Sequence, residues 1–178
     1  NPAETHCYEF STGASGAYLL RMSSDPFTTA SVEVLDEFDN RLASTNVSDQ
    51  AIRIDLGAAK RYRVKLTSSV DRAFSLGLFR LADVAGCDVL ASTGWDASAA
   101  VVSFADDPAA VHCRQLQATS GDTVRISRSP SNYLQQTVFN KAGVDVCSAG
   151  PWTSAVLDCQ LTGTGPWQVV TFENTYYQ

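Results

Sequence analysis

The feature that most constrains this chain of 178 residues is an internal repeat. Thr5–Phe10 and Val111–Leu116 share a pattern built around a His-Cys pair, and they lie about 106 positions apart. Each is followed by a glycine-containing turn and then by a segment in which polar and apolar residues alternate. Two copies of one module are expected to fold in the same way, so we predict two domains, 1–85 and 86–178.

Four further segments keep the same order in both halves. The matched pairs are 32–36 with 136–140, 39–44 with 143–148, 51–56 with 156–161, and 62–66 with 167–171. Tyr62, Val64 and Leu66 alternate with charged residues, which is the period of a β-strand that buries one face. Short strands separated by turn residues predict an all-β fold, here two tandem jelly-roll-like β-sandwich domains.

The second repeat carries an extra piece ahead of its first matched segment. Cys87–Ala91 and Ala100–Phe104 make up this piece, and the first repeat has no counterpart to it within the sequence. We therefore expect the counterpart to lie upstream of Asn1, as residues removed or absent from this chain.

Composition narrows the class of protein. Hydrophobic residues make up 44% of the chain and charged residues 18%, which is enough apolar material for packed cores. The net charge of −6 disfavours nucleic-acid binding, because such proteins need a basic surface to displace counterions from phosphates. Apolar runs are only a few residues long, so no membrane-spanning helix is predicted. Ten arginines against three lysines favour a bacterial source with a GC-rich genome.

The cysteines bear on the compartment in which the chain folds. They are Cys7, Cys87, Cys113, Cys147 and Cys159. The chain has no Cys-x-x-Cys pair and only two histidines, so the pattern favours disulfides over a zinc site. Disulfides persist in oxidising compartments, and we therefore predict a secreted protein.

The repeat indicates how two of the cysteines pair. Cys147 and Cys159 take the places that Ala43 and Ile54 hold in the first half. An apolar pair replaced by a cysteine pair suggests two facing core positions on neighbouring strands. We predict a Cys147–Cys159 disulfide.

The other three cysteines leave two pairings open, because an odd number leaves one thiol over. In the favoured pairing Cys87 bonds Cys113, and Cys7 is free or bonded to a residue outside this sequence. In the alternative, Cys7 bonds Cys87 and Cys113 is free. Because Cys7 matches Cys113 in the repeat, a lost disulfide partner explains the spare thiol better than a role as nucleophile.

Several segments of the second half carry a resemblance to a known family. They are His112–Leu116, Gly121–Ile126, Val138–Gly143 and Leu161–Val170, the last with Gly-Pro ahead of an aromatic residue. The pattern resembles the bacterial pre-peptidase C-terminal (PPC) domain, and the collagen-binding domains of clostridial collagenases are similar modules. The first half has the same order in weaker form and carries Lys60-Arg61 where the second has Gly-Pro.

The resemblance implies jelly-roll-like sandwiches appended to secreted proteases or other hydrolases. Such modules bind insoluble substrate, assist secretion or are removed during maturation, and they are not catalytic. The resemblance therefore implies an accessory role and supplies no catalytic residue.

The residues themselves also argue against an enzyme. His6 and His112 occupy the same repeat position, each beside a cysteine, so a shared structural role is simpler than a catalytic one. The sequence contains no Gly-x-Ser-x-Gly segment, no HExxH segment and no phosphate-binding glycine loop. We predict a protein without catalytic residues.

Two tryptophans are candidates for binding. Trp95 and Trp152 each lie in a predicted turn, where an indole ring can stack on a sugar or anchor a protein partner. The alternative is that each covers the end of a core. Trp167 differs from them, because it matches Tyr62 and is expected inside the core.

A basic stripe is the second candidate for binding. Arg61, Arg63 and Lys65 alternate along one predicted strand and are expected on its outward face, with Arg53 of the preceding strand as a candidate neighbour. Such a stripe suits an anionic glycan or an acidic protein surface. A solvated outer face is the alternative.

The turn near Asp36 is a candidate calcium site. Asp36 and Asp39 offer oxygen ligands of the kind that calcium binds. The second half has Asn140 and Lys141 in the matching turn, and this loss of negative charge favours a plain turn. We therefore predict no cofactor.

These observations lead to two hypotheses of different classes. The favoured one is a secreted, non-catalytic pair of modules that binds an extracellular polysaccharide or protein, cell-surface material or its parent hydrolase. The alternative is a small secreted hydrolase, or a protease propeptide that inhibits its enzyme. Exposed aromatic residues favour binding, whereas a cleft with histidine, carboxylate and serine together favours catalysis.

Overall fold

The computed structural model describes residues 4–24, 30–45, 51–69, 73–81, 86–90, 110–128, 134–150 and 155–173. These residues form β-strands and contain no helix, so the chain is all-β, as predicted. The strands are β1 (Glu4–Ser11), β2 (Gly16–Ser24), β3 (Ala30–Leu35), β4 (Arg41–Thr45), β5 (Ala51–Leu56), β6 (Arg61–Ser68), β7 (Phe74–Arg80), β8 (Asp88–Leu90), β9 (Val111–Leu116), β10 (Thr123–Ser127), β11 (Leu134–Phe139), β12 (Asp145–Ala149), β13 (Val156–Gln160) and β14 (Trp167–Glu173). The chain divides into two compact units between Arg80 and Leu81.

Strands of the first unit pair in a nested, antiparallel pattern. β3 pairs with β4, β2 with β5, and β1 with β6, so the chain folds back on itself like one long hairpin. β3 also pairs with β6, which gives a sheet in the order β1-β6-β3-β4. β7 joins β2 in a second sheet, β5-β2-β7. Consecutive strands β4 and β5, and again β5 and β6, therefore lie in different sheets.

The core of the first unit is built by both of its sheets. Side chains alternate between the two faces of each strand, and those that point inward from β2, β3, β5 and β6 are apolar. The buried cluster consists of Tyr18, Leu20, Met22, Ala30, Val32, Val34, Ile54, Leu56, Tyr62, Val64 and Leu66. Removal of this apolar surface from water is the main favourable term that holds the two sheets together.

The second unit has the same nested pairing. β11 pairs with β12, β10 with β13, and β9 with β14. The larger sheet has the strand order β12-β11-β14-β9-β8, in which β8 runs parallel to β9. β10 and β13 form the second sheet. The buried cluster contains Leu116, Val138, Cys159, Leu161, Trp167 and Val169.

The two units agree in register as well as in strand order. Val34 lies opposite Val64 on one side and Ala43 on the other, and Val138 lies opposite Val169 and Cys147. In both units the ladder is irregular at the residue that follows, between positions 34 and 35 and between 138 and 139. The segments that were matched in the sequence are therefore also matched in backbone geometry.

An aromatic residue at the start of the last nested strand closes the preceding turn in each unit. The backbone N–H of Gly57 donates to the Tyr62 hydroxyl over 2.7 Å, and the Trp167 indole Nε1 donates to the Thr162 carbonyl over 3.0 Å. Both rings are buried, as predicted for Trp167, and both reach back five residues. The polarity of the bond is reversed, because a phenol can accept whereas an indole N–H only donates.

Two disulfides cross-link the second unit. Cys147 on β12 is bonded to Cys159 on β13, with Cα atoms 5.9 Å apart, so this bond joins the two sheets. Cys87 is bonded to Cys113 on β9, with Cα atoms 4.7 Å apart. Cys7 is free and exposed, so the alternative Cys7–Cys87 pairing is not the one in the structure.

The bond between the sheets gives a first prediction. The variant Cys147→Ala/Cys159→Ile carries the residues that pack at the same places in the first unit, Ala43 and Ile54, so we expect it to fold but with lower stability. The two cysteines are 12 positions apart, and the chain-entropy model sets the loss at about 3 kcal/mol. Urea unfolding measures this free energy, with Cys7→Ala as the control because Cys7 forms no disulfide. An unchanged midpoint would show that the bond adds no stability.

Candidate functional site

The basic residues of the first unit lie on the outward side of its larger sheet. β6 runs between β1 and β3, and burial alternates along it because every second side chain points into the core. Arg61, Arg63 and Lys65 are its outward residues, in agreement with the alternation in the sequence. We call the outward surface of the sheet β1-β6-β3-β4 the charged face.

Every cation of this stripe lies beside a carboxylate. Arg61 Nη1 is 3.7 Å from Glu9 Oε1, Arg63 Nη2 is 2.5 Å from Asp39 Oδ1, and Lys65 Nζ is 3.2 Å from Glu33 Oε2. The charged face is therefore a mixture of both signs and not a uniformly basic surface. Such a mixture complements a partner that also carries both signs better than it complements a polyanion.

Glu33 is held between two of the cations. Lys65 contacts it from β6, and Arg41 Nη1 on β4 approaches its Oε1 to 3.4 Å. The hydrogen bond and charge of Lys65 lower the pKa of Glu33, and Arg41 lowers it further by less. Because the pKa is lower in the folded chain, these contacts stabilise the fold above the unfolded pKa, and the stabilisation is lost as the pH falls through the folded pKa.

Arg53 does not belong to the charged face, and the expectation that it neighbours the stripe was wrong. It lies on β5 in the other sheet, where its Nη1 and Nη2 are each 2.9 Å from an Asp55 carboxylate oxygen. The physical reason is the nested pairing: β5 pairs with β2, whereas β6 pairs with β1 and β3.

The tryptophans predicted as binding residues, Trp95 and Trp152, lie outside the described residues. Their role in binding stays a prediction.

A tight turn between β3 and β4 borders the charged face. Asp36 Oδ1 accepts hydrogen bonds from the backbone N–H groups of Phe38 and Asn40 over 2.9 and 2.8 Å, and its Oδ2 accepts from Asn40 Nδ2 over 2.9 Å. The Asn40 side chain is the main cause of the lowered pKa of Asp36. Asp39 has a φ of 66°, a left-handed conformation that Asp tolerates better than most residues, and Arg63 holds its carboxylate.

The same contacts bear on the calcium hypothesis. Both carboxylate oxygens of Asp36 accept hydrogen bonds within the turn, and the carboxylate of Asp39 is in an ion pair with Arg63. Among the described residues, no three or more His, Cys, Asp or Glu side chains are grouped so as to hold a metal ion. In this structure the carboxylates of Asp36 and Asp39 therefore stabilise the turn through hydrogen bonds and an ion pair.

Phe38 is displayed at the tip of this turn, where it is 75% exposed. The second unit builds the same turn on Asn140, whose Oδ1 accepts from the backbone N–H groups of Ala142 and Val144 over 3.0 and 3.1 Å. Ala142 stands where Phe38 stands, so the turn itself does not need an aromatic ring. A large apolar side chain that the local fold does not require is a candidate for contact with a partner.

Reasoning from the sequence missed Phe38, although the signal was present in the repeat. The turn positions around it in the first half are all charged or polar, and the aromatic residue stands against an alanine in the second half. A comparison of the two repeats residue by residue, and not segment by segment, would have found it.

A shallow cavity of about 400 Å³ lies on the charged face. It is lined by Glu9, Glu37, Arg61, Tyr62 and Arg63. Lys60 Nζ is 3.9 Å from Glu37 Oε1 in the same turn region. Carboxylates and guanidinium groups together allow this cavity to bind a group of either charge, such as a side chain of a protein partner.

The histidines are placed on the equivalent strands β1 and β9. His6 is exposed, and its Nε2 lies 3.5 Å from the exposed carboxylate of Glu4. His112 is half-buried and lies opposite Thr171 of β14. The contact of His6 with Glu4 lies at the surface, where solvent screens it.

No protein-family model matches this chain, and no curated protein matches it either. In the part of the chain that the structure describes, no helix is long and apolar enough to cross a bilayer.

The geometry around Glu33 gives a second prediction. Lys65→Met is expected to raise the pKa of Glu33 toward its ordinary value, and Arg41→Met to raise it less, because Lys65 makes the larger contribution. NMR titration of the side-chain carboxyl carbons measures both shifts. Arg61→Met is the matched control, since Arg61 contacts Glu9. A larger shift from Arg41→Met than from Lys65→Met would contradict this order.

Proposed function

We propose that this chain is a secreted, non-catalytic tandem pair of β-sandwich modules that binds a polypeptide surface outside the cell. Phe38 and the charged face of the first unit are the contact surface in this proposal. The single observation that carries it is the exposed ring of Phe38 on a turn that is fixed by hydrogen bonds on both sides.

The fixed turn matters because binding loses conformational freedom. Asp36 accepts from the backbone N–H groups of Phe38 and Asn40, and Arg63 holds the Asp39 carboxylate, so little further ordering is needed when the ring is buried by a partner. Aromatic anchors of this kind carry much of the free energy of many protein interfaces. Phe38 is therefore the proposed anchor, and the charged face is the proposed polar surround.

The ion pairs on the charged face favour a protein partner over an anionic glycan. A polyanion would have to compete with Glu9, Glu33 and Asp39 for the cations that they contact. A protein surface with both signs of charge can instead pair with cations and carboxylates in register, which gives specificity and a faster encounter.

The disulfides support a location outside the cytosol, and the repeated strand order supports an accessory role. The second unit is cross-linked by two disulfides, which persist in oxidising compartments. The strand order and register common to both units support a duplicated module of the kind that the PPC resemblance implies. That resemblance makes fibrillar collagen the first polypeptide surface to test.

The test measures retention of the purified chain on fibrillar collagen, with insoluble cellulose and chitin in parallel. We expect retention on collagen, and we expect Phe38→Ala to weaken it about tenfold or more, as truncation of an interface anchor does. Phe38→Ala should fold normally, because alanine occupies this place in the second unit. Arg63→Glu should also weaken binding, since it leaves the carboxylate of Asp39 unpaired.

Val144→Ala is the matched control, because Val144 is an exposed apolar residue in the equivalent turn of the second unit. Retention that Phe38→Ala leaves unchanged, or retention on the polysaccharides alone, would overturn the proposal. A hydrolase screen in parallel addresses the alternative function. Hydrolysis that disappears in His112→Ala would show that the chain is an enzyme.

A further inference from the structure

β1 is the edge strand of the charged face, and its outer edge pairs with no other described strand. Its counterpart in the second unit, β9, is not an edge. β8 lies beside β9 in parallel, with Asp88 opposite Arg114, Val89 opposite Gln115 and Leu90 opposite Leu116. An open strand edge presents unpaired backbone N–H and C=O groups, which can template a further strand.

A cysteine stands at the same place on β1 and on β9. Phe10 lies opposite Tyr62 and Leu116 lies opposite Trp167, so Cys7 and Cys113 are each three residues ahead of equivalent positions. Cys113 is bonded to Cys87, the residue that leads into β8. Cys7 is free and exposed. The second unit thus shows what occupies this position when a strand is present: a parallel strand with a cysteine at its start.

β1 is more exposed than β9, as expected if β1 lacks the neighbouring strand that β9 has. Nearly every residue of β1 is exposed, whereas the residues of β9 are half-buried or buried. Tyr8 shares a side with Phe10, whose ring stacks on Tyr62 with centroids 5.6 Å apart, yet Tyr8 is 50% exposed. An added strand would cover the Tyr8 ring.

Any disulfide partner of Cys7 would have to come from outside these 178 residues. The chain has five cysteines, and the other four are bonded to one another. We propose that the outer edge of β1 binds an extended polypeptide segment from outside this sequence, parallel to β1, and that a cysteine of this segment forms a disulfide with Cys7.

The register of β8 on β9 defines the chemistry of this segment. Its cysteine lies opposite Cys7, and the three residues that follow lie opposite Tyr8, Glu9 and Phe10. Apolar residues suit the positions beside the two rings, and lysine or arginine suits the position beside the Glu9 carboxylate. The expected pattern is cysteine, apolar, basic, apolar.

The covalent step is thiol–disulfide exchange. The Cys7 thiolate attacks the sulfur of a segment cysteine that arrives in a disulfide with a small thiol or with a disulfide oxidoreductase. A Cys7–segment S–S bond forms, the old S–S bond breaks, and the small thiol or the oxidoreductase leaves as a thiolate that solvent protonates. The incoming disulfide is the oxidant, so no further reactant is needed.

The experiment uses the full chain and the peptide Gly-Cys-Leu-Lys-Leu-Ala, with its cysteine in a mixed disulfide with glutathione. The equilibrium constant for transfer of the peptide to Cys7 is compared with that for Gly-Cys-Ser-Glu-Ser-Ala, which keeps the cysteine but replaces both apolar residues and reverses the charge opposite Glu9. We expect the first peptide to be favoured about tenfold, since each cross-strand pair adds a few tenths of a kcal/mol or more. Amide exchange of β1 should slow in this adduct and not in the adduct of Cys7 with glutathione.

Tyr8→Thr and Cys7→Ser complete the design. Tyr8→Thr keeps a strand-forming residue but removes the ring, so it should reduce the preference between the peptides, and Cys7→Ser should abolish transfer. Equal constants for the two peptides, or unchanged amide exchange in β1, would overturn the proposal. So would preferential formation of a Cys7–Cys7 dimer of two copies of this chain. The proposed function does not enter this test, because collagen retention and peptide transfer are measured separately.

Discussion

The structure of each unit depends on nested antiparallel pairing that encloses an apolar core between two sheets. The alternation along β6 sets which side of the sheet each residue faces, and a shift of one position would expose Val64 and Leu66 and bury Arg63. The free-energy cost of burying an unpaired charge makes that shift unfavourable. The position of the charged face is therefore a direct consequence of how the core is packed.

The same backbone carries very different outward surfaces in the two units. Arg63 and Lys65 of β6 correspond to Gln168 and Val170 of β14, and β14 is buried on both sides. Burial of the Gln168 amide requires a hydrogen-bond partner, and its Nε2 donates to the Leu81 carbonyl. A duplicated fold thus leaves one copy free to present a solvated, charged surface while the other buries the equivalent positions.

Local patterns explain why some features were predictable and others were not. The strands and the outward placement of Arg61 follow from period-two alternation, which is visible in any single segment. The position of Arg53 depends on which strands pair, and β5 and β6 lie in different sheets although they are adjacent in the sequence. The ion pairs of the charged face join β6 to carboxylates on β1, on β3 and in the turn after β3, so they exist only once these strands are assembled.

The sequence by itself determined that the chain is all-β and which segments of its two halves correspond, because alternation and repetition are properties of residue order. The repeat also indicated which cysteines face one another, since apolar core positions in one half became cysteines in the other. Only the tertiary structure decided that the basic stripe is neutralised, that Phe38 is presented on a fixed turn and that no described strand pairs with the outer edge of β1. Each of these depends on distances between strands that are far apart along the chain or on exposure in the assembled sheet, and a linear pattern contains neither.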